Sequence, residues 1–60
     1  MSEEELTAAD FAYITSRTGW PVETECVQPG KWWATSGTFA EWGISEHTAI
    51  MNLLEAVQSH

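Results

Sequence analysis

The segment Cys26-Val27-Gln28-Pro29-Gly30-Lys31-Trp32-Trp33 constrains the fold more than any other. Pro-Gly is a turn signal between two stretches of strand composition, and neighbouring side chains on a strand point to opposite faces of the sheet. Trp32 and Trp33 therefore cannot share one core. In a chain of 60 residues, which forms a single domain and buries only about 60% of the surface it exposes unfolded, a large ring turned to water calls for an explanation.

The pattern before the turn has period two. Val22, Thr24 and Cys26 fall on one face, and Glu23, Glu25 and Val27 on the other, which the two carboxylates mark as wet. With Pro29-Gly30 as a two-residue turn, Cys26 lies opposite Trp33 and Val27 opposite Trp32. The inner face then holds Val22, Thr24, Cys26, Trp33 and Thr35. The outer face holds Trp32 with Val27 and Ala34. Pro-Gly favours a type II turn, whereas two-residue hairpins prefer types I′ and II′, and a longer loop would shift the register by one and exchange the two tryptophans.

Two helices flank this hairpin. Thr7 as N-cap with Asp10 three residues on forms a variant of the capping box, Leu6 and Phe11 form a hydrophobic staple, and Gly19 followed by Pro21 ends the helix, which spans about 8–18. Ser2 with Glu5 is an earlier alternative start. Phe11, Ile14, Thr15 and Thr18 form its inward stripe, with Trp20 folding back on it. Near the C-terminus, Ser45 is an N-cap, and Ile50, Leu53, Leu54 and Val57 fall at i, i+3, i+4 and i+7. This helix spans roughly 46–58 and, with Ile44 and the inner sheet face, supplies most of the core; Met51 lies at the margin of its stripe.

Between them, Thr38–Trp42 reads as a third strand after a Ser36-Gly37 turn, or as a short helix capped by Thr38 and Glu41 and ended by Gly43. The strand is the favoured reading. It groups Thr38, Ala40 and Trp42 with Trp33, and Phe39 and Glu41 with Trp32. The expected fold is a small α+β domain: helix, antiparallel hairpin or three-stranded meander, helix, with both helices on one sheet face.

Charge narrows the function. Nine carboxylates against Lys31 and Arg17 give a net charge of −7, which argues against direct binding of nucleic acid or anionic lipid and in favour of a basic protein partner. The lone Cys26 excludes an intrachain disulfide and reads as a small buried hydrophobe. The acidic start and the absence of a long apolar run predict a soluble cytoplasmic chain.

No catalytic or cofactor signature is present. His47, His60 and Cys26 lack the number and spacing of zinc ligands, and Gly30-Lys31 lacks the rest of a phosphate loop. Glu3, Glu4 and Glu5 suit a helix N-terminus. Glu23 and Glu25, about 6.8 Å apart along a strand, form with Glu41 and the N-terminal carboxylates a patch able to imitate phosphates. The expected partner site is Trp32, Val27 and Phe39, rimmed by Glu23, Glu25 and Glu41, which has the anatomy of a hot spot in a polar rim. Trp33, Trp42 and Trp20 are assigned to the core or its margin.

In size and composition the chain resembles the inhibitor proteins that bacteriophages direct against host enzymes, including anti-restriction and anti-CRISPR proteins. That likeness is one of profile and rests on no particular residues. The function it implies is a non-enzymatic binding module that occludes a basic, nucleic-acid-binding surface. The alternative is an assembly subunit, a homodimer joined through the Trp32 face.

Overall fold

The computed structural model describes residues 6–59, in the order α1 (Ala8–Thr18), β1 (Glu23–Gln28), β2 (Lys31–Ser36), β3 (Phe39–Gly43) and α2 (Glu46–Ser59). The expected Ser2–Glu5 start, Glu3 and Glu4 lie outside the described residues, as does His60. The three strands form one antiparallel sheet in the order β1-β2-β3.

The helix termini follow from local chemistry. The Thr7 side chain accepts from the backbone N–H of Asp10, and the Asp10 carboxylate accepts from the N–H of Thr7 at 3.0 Å, which completes the capping box. Gly19 closes α1 in the left-handed conformation, its N–H donating to the Thr15 carbonyl at 2.7 Å. At the start of α2, the N–H of Thr48 donates to Ser45 Oγ at 3.2 Å and that of Ala49 to the Ser45 carbonyl at 2.9 Å. These contacts satisfy backbone groups that a helix end leaves unpaired.

Both helices pack on one face of the sheet. The core consists of Ile14 from α1, Ala34 from β2, and Ala49, Ile50, Leu53 and Val57 from α2, with Leu6, Tyr13, Val22, Trp32, Phe39 and Leu54 packed around it. The stripe at 50, 53 and 57 is thus the inward one, and Leu54 flanks it. Ile44, expected in the core, is 76% exposed in the connection before α2.

The hairpin differs from the expected register by one residue. Gln28 pairs with Lys31 across Pro29-Gly30, and Gly30 has φ 77°, the positive value that the third position of a type II turn demands and glycine supplies. One residue further along, Val27 is left over as a bulge, so that Cys26 faces Trp32 and Glu25 faces Trp33. A type II turn splays strands that the preferred hairpin turns would align, and a bulge adds local twist beside it. The effect is to exchange the faces of β2. Trp32, Ala34 and Ser36 point to the helices; Trp33 and Thr35 point away.

The exchange suits a tight helix–sheet contact. A Cβ built on Gly43 would lie 2.7 Å from Ala49 Cα and 2.8 Å from the Thr48 carbonyl carbon, and closer still to the Ala49 nitrogen. Only glycine fits there. Ala34 and Ala49 are fully buried, and Ser36 is buried with its hydroxyl donating to the Trp20 carbonyl at 2.8 Å and lying 2.7 Å from Thr18 Oγ1. A tryptophan at position 34 or 36 would force α2 and α1 off the sheet.

Two substitutions test this packing. Leu53→Ala is expected to cost about 2–5 kcal/mol in denaturant unfolding, as other buried leucines do. Gly43→Ala should cost at least about 2 kcal/mol by overpacking, although alanine favours a strand slightly more than glycine does. A loss below about 0.5 kcal/mol for either would contradict the arrangement of α2.

Candidate protein interface

The helix-free face of the sheet is built in two rows. Strand pairing sets Glu25, Trp33 and Trp42 side by side across β1, β2 and β3, and Glu23, Thr35 and Ala40 in the next row. The Trp33 and Trp42 rings meet with centroids 4.0 Å apart and planes inclined at 48°. Trp42 remains 45% exposed, and Trp33 is partly exposed beside it. Each ring covers part of the other, and no described element covers both.

Lys31 completes this end of the face. Its ammonium nitrogen lies 4.8 Å from the centre of the Trp42 ring, within the range of cation–π attraction, which is strongest for tryptophan. Arg17, the other cationic side chain, lies over Tyr13 at 5.5 Å. Both positive charges therefore rest on rings, while Glu23 and Glu25 stand exposed on the outer side of β1.

Trp20 extends the aromatic surface at the opposite end. It is 61% exposed, with its ring against the β2–β3 turn, where a Cβ at Gly37 would come within 2.7 Å of Trp20 Cδ1. With Pro21, Glu23, Thr35, Gly37 and Thr38 it lines an open cleft of about 370 Å³. The Trp20 backbone is held in place: its N–H donates to Thr18 Oγ1 at 3.1 Å, and its carbonyl accepts from Ser36.

Measured against the expected site, these positions bring corrections. Trp32, expected outside as the anchor, packs against the core because the bulge at Val27 turns it inward. Phe39 packs there too, and Glu41, paired with Ala34, belongs to the same helix-facing side. Trp33, Trp42 and Trp20, expected in the core or at its margin, line the open side or its edge. Glu23 and Glu25 stand on the wet face as expected, and Val27 is half exposed in the bulge. Cys26, expected to be buried, is an exposed free thiol whose sulfur lies 3.6 Å from the Gln28 carbonyl. It sits near the hairpin end of β1. Thr15 of the α1 stripe is also exposed.

The expected grouping across β2 and β3 holds, since Trp33 shares a face with Ala40 and Trp42, and Trp32 with Phe39 and Glu41. Alternation alone does not tell which group faces the helices. The small side chains at Ala34, Ser36 and Gly43, all on one side, are the signal that identifies the covered face.

Chemically, the face offers two indole rings, the neighbouring carboxylates of Glu23 and Glu25, and no convergent set of nucleophile, base and acid. Among the described residues no three His, Cys, Asp or Glu side chains gather closely enough to hold a metal ion, and no helix is long and apolar enough to cross a membrane. No protein-family profile, curated protein or solved structure matches the chain.

The side of the sheet on which Trp32 lies can be tested directly. Trp32→Ala should cost about 3–5 kcal/mol of folding stability, as truncation of a large ring against a core does. Trp42→Ala, at an exposed position, should cost less than about 1.5 kcal/mol, including the lost ring–ring contact. Thermal or denaturant melts of the two variants would show the reverse order if Trp32 were the outward ring.

Proposed function

We propose that this chain is a non-enzymatic binding module that docks the helix-free face of its sheet on a basic surface of another protein. Trp33 and Trp42 are the anchors, and Glu23 and Glu25 the acidic flank. The observation that carries this reading is the Lys31 ammonium over Trp42 beside the row of Glu25 and Trp33. The face is already built to hold a cation. A partner's arginine stacked on the same rings would gain the ring attraction and a carboxylate together, and tryptophan is among the residues that most often dominate interface energies.

The net charge of −7 supports the same partner class by steering a basic surface towards the chain. Many such surfaces are basic because they bind nucleic acid, and a compact acidic domain seated on one occludes it. The finer form of the proposal is therefore an inhibitor of the kind bacteriophages use against host enzymes, acting in the host cytoplasm. It needs no cofactor and no contact with nucleic acid.

The test is capture of the partner with the wild-type chain, followed by titration with variants. Trp42→Ala should weaken association by more than about 2 kcal/mol while the fold persists, and Glu23→Lys with Glu25→Lys should slow association most at low salt. Binding that ignores both changes would overturn the reading. So would sedimentation showing that the chain associates only with itself through Trp33 and Trp42.

A further inference from the structure

The two edges of the sheet are not equivalent. At β3, the Asn52 side chain donates to the Trp42 carbonyl at 2.7 Å, and α2 lies against the strand at Gly43, so this edge is partly occupied by the chain's own helix. At β1, no described strand pairs with the outer edge, and five of its six residues are exposed. Unpaired strand edges are templates for another strand. The bulge at Val27 limits the regular part of this edge to residues up to Cys26.

The side chains along that stretch specify what could be added. Glu23 and Glu25 project on the helix-free face, next to Thr35 and Trp33 respectively. Thr24, between them, projects to the helix side, where its hydroxyl donates to Glu46 Oε2 at 2.7 Å. Beside it opens a cleft of about 360 Å³ with Leu6, Phe11, Val22 and Ile50 on its apolar wall and Thr24, Glu46 and His47 on its polar one.

We propose that β1 accepts an extended segment of the partner as a fourth strand, with side chains in the order basic, apolar, basic. This rests on the reading of the helix-free face as the docking surface, and it deepens that reading by giving the partner segment a conformation and a motif. The two basic side chains lie opposite Glu23 and Glu25 and extend the row that continues through Trp33 to Trp42. The apolar side chain, opposite Thr24, enters the cleft. The order reads the same in both directions, so it holds for a parallel or an antiparallel addition. A second copy of this chain is a poor occupant: antiparallel pairing of two β1 strands about Thr24 sets Glu23 of each opposite Glu25 of the other, and like charges directly opposite destabilise a sheet.

The experiment uses the full chain, isotope-labelled, and the peptide acetyl-Thr-Arg-Leu-Arg-Thr-amide as probe. Saturable binding is expected, with amide exchange between Glu23 and Cys26 slowed about fivefold or more, as new ladder hydrogen bonds require. Replacing both arginines by glutamate, replacing leucine by aspartate, or N-methylating alternate peptide amides should each weaken binding about tenfold or more. In the chain, Glu25→Lys should do the same without altering the melt. Binding that shifts Trp33 and Trp42 but leaves β1 exchange unchanged, or that survives N-methylation, overturns strand addition while the docking face stands. Absence of saturable binding overturns strand addition as well, and the docking face is then judged separately by Trp42→Ala against the captured partner. Slowed β1 exchange that depends on chain concentration without peptide overturns it in favour of a second copy.

Discussion

The contact between the backbone of α2 at Thr48–Ala49 and the backbone of β3 at Gly43 governs the rest of the molecule. A helix so close to a sheet leaves little space at the contact, where Ala34 of the neighbouring strand is fully buried, while Trp32 and Phe39 on the same side pack around the core. Trp33 and Trp42, at alternate positions of their strands, lie on the opposite side. The same packing that closes the core therefore places Trp33 and Trp42 outside it, where each can cover only part of the other.

The bulge at Val27 and the turn at Pro29-Gly30 act together to bring β1 into this arrangement. Without the extra residue, Glu25 would not stand beside Trp33, and the carboxylates would be displaced by one position from the rings. The slip lies in the strand that contributes least to the core, so its cost is spread over exposed residues. On the helix side, the junction between α1 and β1 is fixed by the hydroxyls of Thr18 and Ser36 around the Trp20 backbone, a part-buried polar contact with its partners satisfied.

Much of the fold was legible because it is written in local chemistry. Thr7, Gly19 and Ser45 bound the helices through contacts within a few residues, and the stripe from Ile50 to Val57 repeats at helical spacing. The register of the hairpin was not legible in the same way. Val27 carries no glycine or other mark of a bulge, and period two gives the same alternation whichever side is buried. One slipped residue left the grouping of side chains in β2 and β3 intact and reversed which group met the helices. Glu23 and Glu25 kept their exposed place because their own charge decides it, whereas Trp32 and Trp33, identical in chemistry, could be told apart only by the size of their neighbours.

The Trp33–Trp42 contact has a further consequence. Two indoles with centroids 4.0 Å apart and inclined at 48° are electronically coupled chromophores held in a fixed chiral relation by the two strands that carry them. Their shared transitions give rise to circular dichroism that neither ring would show alone. The chain thus carries a built-in optical reporter on its open face, sensitive to any change in the spacing or tilt of the pair and requiring no label.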